Sequence, residues 1–315
     1  MKRAVIAIAA LAAAAGGACE VFNESCPITT PEVWGKGLSV DLDIREEYVR
    51  QCEAPVGNFL ADGLRMYPYE IFYEGDPIQV QVGLINAGAI RDEVVCGAAG
   101  SRRERIPQGP ITDQDIYQLL PFYEDSVVVV RMKGSQLERV LERGVSSLTL
   151  PGDQGQEGHF LQVSGRRGIQ IEVDCNGQPQ TLSSDGKAIE TPGERIRSIC
   201  LGSDPCTPIE PSGTYHVAAL DYMVGTDDQG VPNDGFVGFH YQAPDEAFAP
   251  EVLQTYLPVI DVVRAWLVGY EAGIRAEYPE EQAAAILQAG YPAVEGRLQY
   301  QNCEELEGVC GPTGD

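Results

Sequence analysis

Two short stretches of this chain carry an amide, a guanidinium and a flat ring. Gly83-Leu84-Ile85-Asn86-Ala87-Gly88-Ala89-Ile90-Arg91 reads as a buried apolar strand that runs into a small-residue turn. The turn has one Asn at its start and one Arg at its end. Further along, Leu120-Pro121-Phe122 places an aromatic where another strand is expected to begin. A guanidinium grips phosphate oxygens through two parallel N–H groups. Stacking a base on an aromatic face contributes about 1–3 kcal/mol. The set suits recognition of a nucleotide. A catalytic metal pair is not expected, because His159, His216 and His240 are isolated from one another and from any ligand motif. Lone histidines of this kind are more often structural than ligating.

The elements that must position these residues follow from periodicity. Glu47 to Tyr67 has a helical stripe of Val49, Val56, Phe59, Leu60, Leu64 and Met66, with a start or kink at Pro55. Ile78 to Ile85 predicts a strand. Thr112 is a natural N-cap for a helix to Leu120, with Asp113 and Asp115 in its first turn and Pro121 past its end. Ser126 to Met132 is a β-branched run and predicts a strand; Ser135 to Arg143 predicts a short amphipathic helix. Phe160–Val163, Gly168–Val173, Ile196–Cys200 and Tyr215–Leu220 read as further strands, and from Pro250 through Leu267 the period is helical. Irregular alternation of strands and helices predicts one mixed α+β domain, with β-sheet layers and packed helices.

Composition bounds the class. The 315 residues carry a formal net charge of −25, and 43% are hydrophobic, ample for a sizeable core. So acidic a surface argues against nucleic acid as a partner, and any anion site must be a local Arg cluster. Lys2 and Arg3 followed by the apolar run Ala4 to Ala15 read as a signal peptide over 1–18. Cys19 would then be a lipidated first residue anchoring the chain to a membrane, with ordinary signal-peptidase cleavage as the alternative. Either way the chain is expected to be exported to the periplasm or cell surface. Nine cysteines, eight without Cys19, suit disulfides in an oxidising compartment. Connectivity stays open; Cys200/Cys206 and Cys303/Cys310 are close enough in sequence to close small loops. Residues 19–36 read as a tether and entry loop, and 301–315 as a disulfide-containing acidic tail whose Glu304, Glu305 and Glu307 are most simply solvated.

Several blocks in order then resemble the C-terminal, substrate-recognition domain of the 5'-nucleotidase family. Glu53 with Gly57-Asn58-Phe59-Leu60-Ala61-Asp62 resembles its entry helix, and Asn86-Ala87-Gly88-Ala89-Ile90-Arg91 its N-G/A-G-x-I-R turn. Gly109-Pro110-Ile111-Thr112 through Leu120-Pro121-Phe122 resembles G-x-I-T…L-P-F. Phe160-Leu161-Gln162-Val163-Ser164-Gly165 matches F-L-Q-V-S-G, Asn233-Asp234-Gly235-Phe236 the end of a G-G-D-G-F loop, and Glu295-Gly296-Arg297 the closing E-G-R. The resemblance covers roughly 37–300.

It implies that Asn86 and Arg91 line the phosphate and ribose side of a site, that Phe122 and Tyr222 clamp the base, and that Asp234 accepts from ribose hydroxyls. The family usually has Phe where Tyr222 stands. A second family Arg falls on Cys52, with Arg50 close but off register, and the loop before Asp234 is longer. The family hydrolyses phosphate esters with a divalent dimetal site in an N-terminal metallophosphoesterase domain, whose motifs this sequence lacks. The resemblance therefore implies no cofactor in this chain and no catalytic residue. The leading expectation is an exported nucleotide- or nucleoside-recognition protein, any hydrolysis requiring a separate metallophosphoesterase. The alternative is a cell-surface structural or adhesion lipoprotein with a vestigial pocket. Taken alone, Asn86 and Arg91 could be turn and surface residues, Phe122 a core aromatic, and Asp234-Gly235 a plain turn. Arg102, Arg103 and Arg105 read as a basic surface loop.

Overall fold

The computed structural model describes residues 31–34, 41–72, 79–93, 102–148, 150, 152–165, 168–202, 205–240 and 249–310. The signal segment, Cys19, Cys26 and Cys96 lie outside them. The strands are β1 (Leu42–Asp43), β2 (Val82–Asn86), β3 (Arg105–Ile106), β4 (Ser126–Lys133), β5 (Leu161–Val163), β6 (Ile169–Asp174), β7 (Thr181–Leu182), β8 (Ile189–Thr191), β9 (Ile196–Leu201), β10 (Thr207–Pro208), β11 (Thr214–Leu220), β12 (Glu251–Pro258) and β13 (Leu298–Gln301). The helices are α1 (Glu46–Val49), α2 (Pro55–Phe72), α3 (Asp113–Leu119), α4 (Gly134–Gly144), α5 (Asp221–Val224), α6 (Val259–Glu277), α7 (Glu280–Ala289) and α8 (Glu307–Cys310). The architecture is α+β.

The main sheet has the order β12-β4-β11-β2-β5, with β2 and β11 parallel and the other pairs antiparallel. Its middle is apolar on both faces: Val127, Val128, Val129 and Val130 of β4 are all buried, as a central strand requires. Helix α2 covers one face beside α6, with Phe59 and Trp266 rings 5.8 Å apart. The close seat of α2 on β2 depends on Gly83, where a Cβ would stand 2.2 Å from the Ala61 carbonyl oxygen. A second sheet, β10-β9-β6-β13, lies on the C-terminal side of the chain.

Three of the resemblance blocks meet in one buried ionic knot. Arg297, 2% exposed, donates to Asp62 at 2.8 Å, to Glu295 at 3.0 Å and to the Val163 carbonyl at 2.9 Å. Glu53 accepts from the backbone N–H of Glu295 and Arg297, each at 2.7 Å, and from the Asn58 amide. Asp62 also accepts from the Tyr291 hydroxyl and the Gly165 N–H. Every lone pair engaged here comes from a residue of those blocks or its neighbour, so Glu53, Asp62 and Arg297 join chain entry to chain exit.

Several expectations change. Helix α3 starts where Thr112 predicts, with a full capping box to Asp115. The segment after Pro250 is not helical throughout: β12 occupies Glu251–Pro258 and the helix begins at Val259. A register shift between Leu253 and Leu257 breaks the two-residue alternation, which made a strand look helical. Phe122 sits in the turn ahead of β4 rather than in a strand, with the Asp125 N–H donating to its carbonyl at 3.0 Å. Cys303 and Cys310 do not pair with each other: the disulfides are Cys52–Cys310, Cys175–Cys303 and, as the short spacing allows, Cys200–Cys206. Leu306 is buried, so Glu304, Glu305 and Glu307 lie exposed on a turn and on α8, which is tied back to the domain at Cys52. Arg102, Arg103 and Arg105 face Asp92, Asp115 and Asp43 at 3.7, 2.6 and 3.5 Å.

Candidate functional site

Strand β2 is apolar up to its last residue, where Asn86 emerges from the sheet still 2% exposed. The turn Ala87–Ala89 then folds back against Gly158, whose carbonyl accepts the Gly88 N–H at 2.8 Å. The two backbones touch because neither residue has a Cβ: one on Gly88 would meet the Gly158 Cα at 3.1 Å. The turn delivers Arg91, anchored by its N–H on the Leu119 carbonyl.

From a distant part of the chain, α5 supplies Tyr222 and the following loop supplies Asp234. Asp234 adopts a left-handed φ of 50°, a conformation Asp tolerates better than most residues. Its carbonyl accepts from Arg143 of α4 at 2.8 Å. The carboxylate is shared: Asn86 donates to Oδ2 at 3.1 Å, and the Tyr222 hydroxyl donates to Oδ1 at 3.1 Å. Burial, then the Asp234 charge, pushes the Tyr222 phenol up to about 12. The Asn86 Oδ1 atom is buried and has no hydrogen-bond partner among the described residues.

All five residues expected from the sequence line one cavity of about 420 Å³, together with Arg50, Gly88, Ala89, Asp125 and Gly158. Phe122 and Tyr222 are 36% and 41% exposed, large rings left partly uncovered at its walls. The Arg91 guanidinium lies 5.4 Å from the Phe122 centroid, within cation–π range.

Three cavity features escaped the sequence reading. Arg50, set aside as off register, reaches the cavity from the end of α1. Arg50 and Arg91 both bond Glu46 Oε1, at 3.0 and 3.1 Å, so two guanidinium groups share one carboxylate. Burial lowers the Arg50 pKa; Glu46 opposes this, and Arg91 adds to it. The i,i+4 spacing of Glu46 and Arg50 was the available signal. Asp125, three residues after Phe122, is the third; burial, then Asp221 and Glu124, pushes its carboxyl up to about 6. Cys52, on the aligned Arg position, is 1% exposed and locked to Cys310, just beyond α1.

The cavity thus offers two ring faces, carboxylates and a pair of guanidinium groups. Among the described residues, no group of three or more His, Cys, Asp or Glu is placed to hold a metal ion. His159 is buried behind the turn, within 3.2 Å of the Ser146 and 3.0 Å of the Ser147 hydroxyls. Burial, with Arg143 adding, lowers its pKa to about 3, so it stays neutral at ordinary pH.

Comparison with known proteins places this α+β domain and its cavity. The 5'-nucleotidase C-terminal domain profile matches residues 28–232, and the chain belongs to that family. It is 28% identical over 201 residues to the trifunctional nucleotide phosphoesterase YfkN of Bacillus subtilis (strain 168), covering 64% of this chain and 11% of that protein. It is 23% identical over 177 residues to endonuclease YhcR of the same organism, covering 53% of this chain and 12% of that one. Its fold resembles the 5'-nucleotidase precursor of Thermus thermophilus, with a TM-score of 0.55 and 22% identity, over 86% of this chain and 40% of that one. Haemophilus influenzae NAD nucleotidase is similar at a TM-score of 0.51 and 17% identity, over 86% and 38% of the respective chains. This chain spans only a minor part of each of these relatives.

Proposed function

We propose that this chain binds a nucleotide or nucleoside in the cavity between Phe122 and Tyr222. The base stacks between the two rings, Asp234 and Asn86 meet the ribose hydroxyls, and Arg91 with Arg50 meets phosphate. The observation that carries this reading is convergence: Asn86, Arg91, Phe122, Tyr222 and Asp234 come from four separated segments and line one cavity. The Arg50–Arg91 pair is a local positive site in a chain of net charge −25, as an anion site here requires.

Any hydrolysis would require a separate metallophosphoesterase, with this domain supplying substrate recognition. The N-terminal segment directs export, and Cys19 carries the membrane anchor; the mass of the detergent-extracted protein tests the lipid directly. No described helix is long and apolar enough to cross a membrane.

One observation favours a second reading, a surface protein with a vestigial pocket: Asp234 already accepts from Asn86 and Tyr222, and Arg91 is held by Glu46. Calorimetric titration with adenosine, AMP, ATP and UDP-glucose separates the two. Micromolar affinity that weakens about tenfold or more in Phe122→Ala is expected from lost stacking. No heat with any ligand from folded, fully oxidised protein would leave only the surface role.

A further inference from the structure

The cavity contains one acidic side chain that neither the ribose nor the phosphate assignment uses. Asp125 lies on the same turn as Phe122, its N–H closing that turn onto the Phe122 carbonyl. No described residue donates a hydrogen bond to its carboxylate. The neighbouring Asp221 differs: its Oδ1 accepts the N–H of Ser126 and of Tyr222, each at 2.9 Å. Asp221 therefore ties the Phe122 turn to the backbone root of Tyr222, and Asp125 lines the cavity one residue before the Ser126 that makes this tie.

The Tyr222 ring gives the slot a direction. Its root is held by Asp221, which also holds the N–H of Ser126 next to Asp125, and its hydroxyl tip is held by Asp234. A base stacked along this ring with its ribose at Asp234 points its far, Watson–Crick edge toward Asp125. A half-buried carboxylate without a donor seeks two N–H groups side by side. Guanine presents them, N1–H and the N2 amine. Adenine and cytosine each set one amine beside a ring-nitrogen lone pair, which faces the carboxylate with repulsion. Uracil offers one N–H between two carbonyls, and hypoxanthine lacks the second donor.

We propose that Asp125 selects guanine, accepting N1–H and N2–H of a guanine nucleotide held between Phe122 and Tyr222. This rests on the nucleotide-site reading above and assigns its base. The pairing is a charge-assisted bidentate contact, and a base that lacks one donor leaves a carboxylate oxygen unpaired in a partly dehydrated slot.

Calorimetric titration of the chain with GMP, IMP and AMP, repeated on Asp125→Asn and Asp125→Ala, tests it. GMP is expected to bind about tenfold or more tighter than AMP and IMP, from charged hydrogen bonds made to guanine alone. Both variants are expected to bring GMP to within about threefold of AMP, because the charged contact that favours guanine is lost while the ring stack is untouched. Equal binding of GMP and AMP by the unaltered chain, or a guanine preference that survives both substitutions, overturns the base assignment and leaves the nucleotide site standing. Binding of none of the three overturns the site reading, and the base assignment with it.

Discussion

The Tyr222 hydroxyl donates to Oδ1 of Asp234 at 3.1 Å, so the ring that forms one wall of the cavity is pinned by the carboxylate proposed to meet ribose. The same bond orients the ring and occupies a lone pair the sugar would use. Tyr222→Phe keeps the π face and releases that lone pair. Nucleoside affinity is expected to hold or rise, whereas Tyr222→Ala loses the stack and weakens it by about 1–3 kcal/mol. Parallel titrations of the two variants with guanosine and adenosine read the difference. A Phe variant as weak as the Ala variant would mean the hydroxyl itself contacts the ligand.

Phe122 is the other aromatic ring that lines the cavity. Because its ring is 36% exposed, little packing is lost on truncation. Phe122→Ala should lower nucleotide affinity by about 1–3 kcal/mol while the unfolding midpoint stays near that of the parent. Thermal unfolding run beside calorimetry makes the separation.

Arg50 and Arg91 meet at Glu46, so their removal should discriminate between ligands with and without a phosphate. Arg91→Ala and Arg50→Ala are expected to weaken a nucleoside monophosphate by about 1.5–3 kcal/mol each, the value of a charged hydrogen bond. The matching nucleoside should lose little in Arg50→Ala; in Arg91→Ala it also loses the cation–π contact that steadies Phe122. The monophosphate-to-nucleoside affinity ratio is the quantity to measure.

The ionic knot around Arg297 is a stability feature, not a binding one. Removing the guanidinium strands Asp62 and Glu295 in an interior where Arg297 is only 2% exposed. Arg297→Ala is expected to cost about 3–5 kcal/mol by urea unfolding, the range for breaking a buried ion pair. Burial by itself lowers the Arg297 pKa, but Asp62 and Glu295 outweigh it and raise it, so the charge persists at every working pH.

Asp125 and Glu142 give stability an unusual pH slope. Both carboxyls are raised to about 6 in the fold, chiefly by burial, from ordinary values of 3.8 and 4.5. A raised folded pKa means the native state holds the proton more tightly than the unfolded chain. The stabilisation from these two groups is therefore present below the unfolded pKa and lost as pH rises through about 6. Asp125→Asn should raise the unfolding midpoint relative to the parent at pH 7, with the gain shrinking towards pH 4, near the unfolded-state value. Paired melts across that window check the sign.

Local chemistry was legible in the residue order. Thr112 and Asp115 cap α3 because a side-chain oxygen three residues from an N–H closes the box whatever lies beyond it. The β-branched run of β4 and the small-residue turn after Asn86 likewise depend on near neighbours. The five cavity residues were readable through motif resemblance, since each block carries its own spacing. What the order of residues left open was set by partners far away in the chain. Cys310 found Cys52, 258 residues distant, instead of nearby Cys303, because α8 folds back to the end of α1. β12 became a strand because the edge of β4 was open to pair with it, overriding an ambiguous period. Arg50 entered the cavity despite its register because a long side chain on α1 can share Glu46 with Arg91. Asp125 lines the cavity in a turn that Asp221 ties to Tyr222, ninety-odd residues away in the chain. Periodicity and capping act over a few residues along the chain; disulfide choice, sheet edges and the lining of a cavity depend on distances in space, which only packing determines.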